Sequence, residues 1–493
     1  MASFGFALVA LWVSLVHAGG PLGQNGEAIT TSRYSIDSYQ GVVSSGSRSV
    51  GLGGAYVAVA EDVDGNLQNP ATPAVRPAYS VDYFDYWLGF AISSPTDIQN
   101  LDFFNSGSTT AVRAGGESFV FATPALNLQW GTFGIGLTAE FQNYGFATPT
   151  DAANSAQLAM VLAGVHLQAA NAFLEHQLVI GFGMRILTQV VESRTEEASE
   201  DLFASQGTGS ELGVLYRPRG LPLRLGFAWR QAIETTARYQ QALLPDASGD
   251  ITIPGATGPI YLPEGVSIPW DVNLGAALQL GRAFNPRWRY AEGEAERAAI
   301  HYRLRQLDRD AERTRRLAAA KTEAEQEAVE DELDEQQEHD DELLEAAIDN
   351  ARKLIRVSNA THAGRYLMVS AAMVISGTAE EAVGVDSLLT QEVNRSGKEV
   401  VYSPRFGAES EVWPNLLKLR AGTYLEPTRF ETSSPRWHGT FGFDVRLINW
   451  DVFGIWSDDY LWRLGVSGDV SQRYSVWALS IGGWYPRWAP SPF

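Results

Sequence analysis

The chain has 493 residues, a formal net charge of −21 and no cysteine, and only 19% of its residues are charged. The lack of cysteine excludes disulfide bonds, thiolate zinc sites and a cysteine nucleophile. The acidic balance argues against a nucleic-acid partner, which requires a clustered basic surface. With 47 Gly and 11% aromatic residues, the composition favours an extended β-protein over a collagen-like or disordered chain.

Residues 1–18 have the pattern of a secretory signal peptide. They are apolar from Phe4 to Val16, and the residues at 16 and 18 suit cleavage before Gly19. The run is shorter than the ~20 residues of a membrane-spanning helix, and no later segment has 18 uninterrupted apolar residues. We therefore expect an exported protein that is either periplasmic or located in the outer membrane.

From about Tyr79 onward, many segments alternate between apolar and polar residues. In residues 223–230, LRLGFAWR, one face is Leu, Leu, Phe and Trp and the other is Arg, Gly, Ala and Arg. Such alternation predicts a strand with one apolar and one polar face. A soluble β-sandwich would have shorter strands, so we favour a transmembrane barrel with its apolar face toward lipid. The aromatic girdles of such a barrel are predicted to include Tyr86, Trp87, Trp229, Trp450, Trp462, Trp484 and Tyr485.

The pattern predicts an all-β transmembrane barrel of about fourteen antiparallel strands, an even number as in single-chain bacterial barrels. The connections after strands 1, 3, 5, 7 and 9 are predicted to be long and those after strands 2, 4, 6 and 10 short. Short turns are typical of the periplasmic end. The predicted strands are 79–93, 117–130, 132–145, 155–170, 176–192, 209–218, 221–240, 268–282, 361–377, 399–411, 415–427, 437–450, 459–470 and 473–486. The first eight fall within 79–286 and the last six within 359–493.

A charged insertion, 287–358, separates the predicted strands 8 and 9. It is rich in strong helix formers, and apolar residues recur along it at heptad-like spacing. Because both ends must return to neighbouring strands, we predict a helical hairpin that turns within 320–341. Residues 287–321 contain ten basic and six acidic residues, whereas 322–356 contain three basic and fourteen acidic ones. The two arms would therefore pair opposite charges, and the strand count places the hairpin in the periplasm.

Residues 46–71, GSRSVGLGGAYVAVAEDVDGNLQNPA, form an arginine- and glycine-containing motif. This segment resembles the FadL-like superfamily of outer-membrane proteins, including its PorV-type branch. The resemblance implies that 19–78 form an N-terminal plug, or hatch, inside the barrel. It also implies either passage of hydrophobic small molecules or, in the PorV-type branch, handling of secreted proteins. The matching positions are Arg48, Gly51, Gly53, Gly54, Ala55, Val57, Ala58, Ala60, Asp62, Asn69, Pro70 and Ala71.

Several basic residues fall on the predicted inward faces of the strands. Charges inside a plugged lumen need carboxylate or water partners, and Glu211, Asp444 and Asp469 lie on the same faces. One interpretation is therefore a salt-bridged lumen that holds the plug. The other is a basic patch that orients an amphipathic anion such as a fatty acid. The basic residues are Arg185, Arg224, Arg230, Lys418, Arg420, Arg446 and Arg463.

Motifs of enzymes and metal sites are absent from the sequence. It contains no Walker loop, G-x-S-x-G elbow or H-E-x-x-H motif, and its seven His lack ligand spacing. We therefore predict neither an enzyme nor a metal or cofactor site. The first hypothesis is an outer-membrane channel for passive uptake of hydrophobic or amphipathic, fatty-acid-like molecules. The alternative is a PorV-like scaffold that recruits a periplasmic protein partner through 290–357.

Overall fold

The computed structural model describes residues 22–43, 45–76, 80, 82–95, 102–107, 113–114, 120–147, 157–194, 199–240, 243–253, 258–281, 283–285, 288, 293, 300–361, 365–447 and 461–484. The predicted signal peptide, 1–18, and the predicted girdle residues Trp450 and Tyr485 lie outside these residues.

Fourteen antiparallel strands of the described residues close into a barrel, each pairing with its neighbours in the sequence, while the last pairs with the first. Every predicted strand overlaps an observed one, so the predicted fold class is confirmed. The strands, named β1 to β14, are Phe84–Pro95, Val120–Trp130, Phe133–Ala147, Gln157–Phe173, Leu178–Arg194, Ser199–Tyr216, Leu223–Arg230, Asp271–Leu280, Leu367–Ser376, Val401–Trp413, Leu417–Glu426, Arg436–Arg446, Trp462–Ser471 and Tyr474–Gly483.

The period-two pattern of the strands separates a filled lumen from an apolar exterior. In β9, Met368 is fully buried, whereas its neighbours Leu367 and Val369 are 46% and 41% exposed on the outside. Large apolar side chains such as Phe182 and Leu479 are likewise exposed around the barrel wall. An apolar exterior on a closed barrel is the arrangement of Gram-negative outer-membrane proteins, where every strand edge is paired.

The predicted aromatic girdle is partly wrong. Trp87, Trp462 and Trp484 are buried rather than exposed to lipid. Because successive residues of a strand point to opposite faces, nearness to a strand end does not decide which face a ring occupies. The exposed aromatic residues at strand ends are instead Phe84, Phe133, Phe173, Tyr216, Tyr402, Trp413, Trp437 and Trp477.

The two ends of the barrel differ in their connections. Short turns at 131–132, 174–177, 217–222 and 414–416 define what we call the turn end. The opposite, loop end carries most of the longer connections, but the predicted long loop between strands 5 and 6 is wrong. Strand β6 begins at Ser199, leaving only 195–198 as the connection. A β-bulge turns Leu202 and Phe203 inward together, and this irregularity hides the alternation in the sequence.

A small sheet closes the loop end, and we call it the cap. Its five short strands are ordered Ile233–Thr236, Gly265–Ile268, Ser35–Asp37, Ala382–Val383 and Arg395–Ser396. The predicted strand 221–240 thus leaves the barrel after Arg230. The central strand comes from the N-terminal segment, whose Leu22, Ile29, Tyr34 and Ile36 pack in one apolar core with the surrounding loops. Further short pairs are Arg113–Ala114 with β3, Arg238–Tyr239 with β6, and Thr252–Ile253 with Ile260–Tyr261.

The helices are short in the lumen and the cap and long at the turn end. They are α1 Ser47–Gly51, α2 Ile300–Ala319, α3 Glu323–Thr361 and α4 Ser387–Thr390, with 3₁₀ turns at Val63–Gly65 and Thr72–Ala74. Helices α2 and α3 form the predicted hairpin, which turns at 320–322. Among the described residues, none of these helices has the length and apolar character needed to cross a membrane.

Charge rather than an apolar seam joins the two arms of the hairpin. Arg316 lies 2.6 Å from Glu332, and Arg309 pairs with Asp340. The predicted apolar stripe is not buried between the arms, since Leu304 and Leu307 are more than half exposed. The paired opposite charges agree with the predicted arrangement, while the heptad-like spacing does not bury Leu304 and Leu307 between the arms.

Candidate functional site

Residues 45–76, which we call the plug, lie inside the barrel, whereas residues 22–37 of the predicted plug, 19–78, belong to the cap. Helix α1 packs against β11, β12 and β13, and Thr440 on β12 donates a 3.2 Å hydrogen bond to the Gly51 carbonyl. Glycines on the wall permit this close approach. A Cβ at Gly226 would lie 2.5 Å from the Val57 carbonyl carbon, so the bare wall is needed where plug backbone touches it.

The glycines of the plug motif are required by the backbone as well as by space. Gly53 and Gly54 have φ values of +61° and +71°, which a side chain disfavours. A Cβ at Gly51 would lie 2.6 Å from the Cδ atom of Arg420. These positions explain why the motif contains glycine where the chain turns against the wall.

The remaining motif residues fix the end of the plug. The Asn69 side chain donates a 2.8 Å hydrogen bond to the Val57 carbonyl and accepts one of 3.0 Å from the Ala71 amide. Pro70 and Ala71 lie against Gly181 and Gly213 of the wall. Ala55 is buried in a small apolar cluster with Val57.

An ionic network ties the plug to the wall. Glu409 on β10 accepts hydrogen bonds from Nε and Nη2 of Arg48 at 2.9 and 2.8 Å. It also accepts one of 3.1 Å from Arg420 on β11, whose guanidinium lies 2.5 Å from Asp444. The Arg420 and Glu409 side chains are fully buried, so each depends on the other for its charge balance.

Two further residues, Arg463 and Glu61, extend the network along the plug. Arg463 on β13 lies 3.2 Å from Asp444 and 3.0 Å from Asp64 of the plug. Glu61 lies 3.0 Å from Arg48 and 2.9 Å from Arg224 on β7. The plug thus contributes both signs of charge, and the wall complements each of them.

The pKa values of two neighbouring carboxyls of the plug are shifted in opposite directions. Burial alone would raise the pKa of Glu61, but the guanidiniums of Arg224 and Arg48 lower it to about 2. Burial, reinforced by the Asp64 carboxylate, raises the pKa of Asp62 from 3.8 to about 7. Docking is therefore favoured by Glu61 above its ordinary pKa of 4.5, and this contribution is lost as the pH falls toward 2. For Asp62 the docked state holds a proton that the released state loses, so docking weakens as the pH rises from about 4 to about 7.

The seven predicted basic residues of the lumen fall into different environments. Arg224, Arg420 and Arg463 hold the plug through the carboxylates described above, and Arg230 lies 2.7 Å from Asp271. The Lys418 ammonium lies 4.5 Å from the centre of the Trp484 ring. Half-buried Arg446 lies at the turn end, away from the cluster. Arg185 donates a 2.6 Å hydrogen bond to the Gln231 carbonyl.

A cavity of about 200 Å³ lies between the cap and the plug. Residues 38–43, which link the two, cover it on one side, and β3 to β5 and β7 to β10 form its wall. Arg185 and Arg230 line it, as does Arg405, which the sequence did not single out. Arg405 is 7% exposed, and its guanidinium lies 5.6 Å from the centre of the Tyr424 ring.

His166 and Glu140 are two further residues of the cavity wall that sequence reasoning did not assign to a site. Each ring nitrogen of His166 lies 3.2 Å from a carboxylate oxygen, one of Glu140 and one of Glu211. Only the doubly protonated ring can donate to both. The alternating pattern places His166 and Arg405 on the inward faces of predicted strands, so both could have been recognised as lumen residues. That they line the same cavity depends on how strands distant in the sequence are arranged around the barrel.

No protein family model and no curated protein matches the chain. Among solved structures, it is similar to a CymD monoaromatic hydrocarbon channel, with 11% identity, a TM-score of 0.46, and coverage of 91% of this chain and 99% of that chain. It is also similar to the P. putida toluene transporter TodX, with 11% identity, a TM-score of 0.46 and coverage of 89% and 97%. A third similar structure is a Pseudomonas aeruginosa FadL homologue, with 10% identity, a TM-score of 0.46 and coverage of 90% and 99%.

Proposed function

We propose that the protein is an outer-membrane channel for passive uptake of small hydrophobic or amphipathic molecules, gated by the plug. The observation that carries this proposal is the cavity between cap and plug, which lies within a closed barrel and presents both apolar and basic side chains. Polar and apolar side chains contribute about equally to its lining, and such a mixture suits an amphipathic molecule. The network from Arg48 to Arg463 then serves as the latch of the gate.

The wall next to the cavity offers a route for sideways release. Strands β2 and β3 pair on both sides of Thr123 and Pro124, but the ladder skips these two residues. Proline has no N–H to donate, so the opposing strand loses a hydrogen bond at this point. Glu140, which lies opposite Thr123 in the register, lines the cavity. A molecule in the cavity is thus close to the least paired part of this wall.

A disulfide lock tests whether the plug is the gate. The chain has no native cysteine, and the hydroxyls of Ser47 on the plug and Ser480 on β14 are in contact. The double variant Ser47→Cys, Ser480→Cys can therefore be oxidised without competing thiols. Uptake of a small single-ring, amphipathic dye through the outer membrane of a Gram-negative host is the measurement. We expect oxidation to slow entry to the level of cells without the protein, and a reductant to restore it.

Each single cysteine variant is the matched control, since it carries the same substitution without the crosslink. Equal dye entry in the oxidised and reduced double variant would show that passage does not require the plug to move. Equal entry in cells with and without the wild-type protein would contradict uptake altogether. The alternative role, recruitment of a periplasmic partner through 290–357, stays a prediction.

A further inference from the structure

The size of the cavity restricts what it can hold. A dry cavity of about 150 Å³ in another protein holds one benzene molecule, and the cavity here measures about 200 Å³. One six-membered ring with a single substituent fits this space, whereas a long acyl chain would have to extend beyond it. Apolar side chains that contact such a ring are present on several sides: Val42, Val43, Leu162, Leu187, Ile233 and Ile268.

Two guanidiniums of the cavity, those of Arg185 and Arg405, have no carboxylate of the described residues within ion-pair distance. The Nε atom of Arg185 is buried and has no hydrogen-bond partner within the part of the chain that the structure describes. Arg405 is buried, and a buried charge without a partner is costly. Arg185 is partly exposed, but its buried Nε donor without an acceptor adds to that cost. Both observations indicate an anion that the chain itself does not supply.

The other charges around the cavity compensate one another. Glu140 and Glu211 flank the His166 ring at 3.2 Å on either side, and Asp271 pairs with Arg230. Glu140 and Asp271 line the cavity, and Glu211 lies behind the imidazolium. These three carboxylates stand against four cationic groups, Arg185, Arg230, Arg405 and the imidazolium, which leaves one positive charge. A ligand with a single negative charge would balance the site.

We infer that this cavity binds a carboxylate attached to a single ring, with Arg185 and Arg405 holding the carboxylate and the apolar side chains holding the ring. A carboxylate suits the site because guanidinium groups donate paired, charge-assisted hydrogen bonds to its two oxygens. The inference rests on the proposed channel function and names its cargo class. It selects small ring acids over both long fatty acids and uncharged rings.

Binding of 4-fluorobenzoate to the full-length protein in detergent, followed by fluorine NMR, tests the inference. Fluorobenzene is the uncharged comparison and hexadecanoate the long-chain competitor. We expect saturable binding of 4-fluorobenzoate at one molecule per chain, and weaker binding of fluorobenzene. Arg185→Gln and Arg405→Gln should each weaken binding about tenfold or more, because each removes a charged hydrogen bond. Arg219→Gln, at an exposed arginine of the turn end, should not change it.

A second variant keeps the test decisive if an arginine variant does not fold. Ile268→Phe fills part of the cavity and leaves both guanidiniums in place, so it should also abolish binding of 4-fluorobenzoate. Three results would overturn the inference: unchanged affinity in both arginine variants, equal affinity for fluorobenzene, or displacement by chloride alone at cellular concentration. Dye entry without benzoate binding would support the channel function and contradict the inferred cargo class. Benzoate binding without dye entry would support the cargo class and contradict the channel function.

Discussion

Replacing Glu409 by Gln should loosen the plug without disturbing the barrel. Glu409 receives three charged hydrogen bonds, two from Arg48 of the plug and one from Arg420 of the wall. The substitution keeps the shape of the side chain but removes its charge. Arg48 would then retain Glu61, which it shares with Arg224, while Arg420 would retain Asp444. The plug therefore loses its strongest tie to β10.

The expected size follows from the burial of these groups. Removing one partner of a buried ion pair costs about 3–5 kcal/mol, because the other charge is left without compensation. The lower figure applies here, since each arginine keeps a second carboxylate. A loss of about 3 kcal/mol raises the undocked population of the plug about 100-fold. The barrel strands keep all their backbone ladders, so this loss falls on docking of the plug.

Labelling of a single cysteine measures the docked population directly. In a Ser47→Cys background the thiol is fully buried in the docked plug, so a polar maleimide reacts only after undocking. We expect Glu409→Gln to raise the labelling rate about 100-fold. The matched control is Glu431→Gln, because Glu431 pairs with Lys398 at 3.1 Å on the exposed surface, where ion pairs contribute about 0–1 kcal/mol. Equal labelling rates in the two variants, with both barrels folded, would refute the latch.

Three other changes give distinct outcomes. Gly226→Val should raise cysteine labelling about tenfold or more through overpacking against Val57, whereas Gly439→Val, with no atom within 4 Å of its Cβ position, should leave the labelling rate unchanged. Labelling of the wild-type plug should accelerate relative to Asp62→Asn as the pH rises from about 4 to about 7; a constant ratio would contradict the role of Asp62. Deleting 290–357 should leave dye entry unchanged and abolish recovery of any partner held by the hairpin; loss of dye entry would place the hairpin in the transport path.

The barrel could be predicted from the sequence because successive residues of a strand face lipid and lumen in turn, and lipid favours apolar side chains whereas the lumen favours polar ones. Strands such as β9 alternate cleanly, so their faces can be assigned without any partner strand. The prediction failed where a local irregularity broke the period, as at Leu202 and Phe203. It also failed for Trp462 and Trp484. These residues were assigned to the lipid-facing girdle because they lie near strand ends, without regard to which face of the strand they occupy.

The site was less accessible because its partners are distant in sequence. Arg48 and Glu409 are separated by 361 residues, and their meeting depends on where β10 lies around the barrel relative to the plug. The inward face of β10 was readable, so Glu409 and Arg405 could have been noted as lumen charges. Which of them meets the plug, and which remains beside an open cavity, follows only from the packed structure.

The N-terminal segment is held by apolar packing and by buried ion pairs at both of its ends. Asp37 of the cap pairs with Arg429 at 2.7 Å, and Leu52 and Val59 of the plug lie in an apolar cluster with the wall. In the cap, Tyr34 and Ile36 are buried in an apolar core, where release would expose apolar surface to water. In the plug, Arg48 and Glu61 are held mainly by ion pairs. Water can solvate these charges once they separate, and replacing buried ion pairs by solvated ones costs far less than their Coulomb attraction suggests. Under the proposed gating, release of the plug therefore also exposes apolar side chains such as Leu52 and Val59 to water, and this cost adds to that of separating the ion pairs.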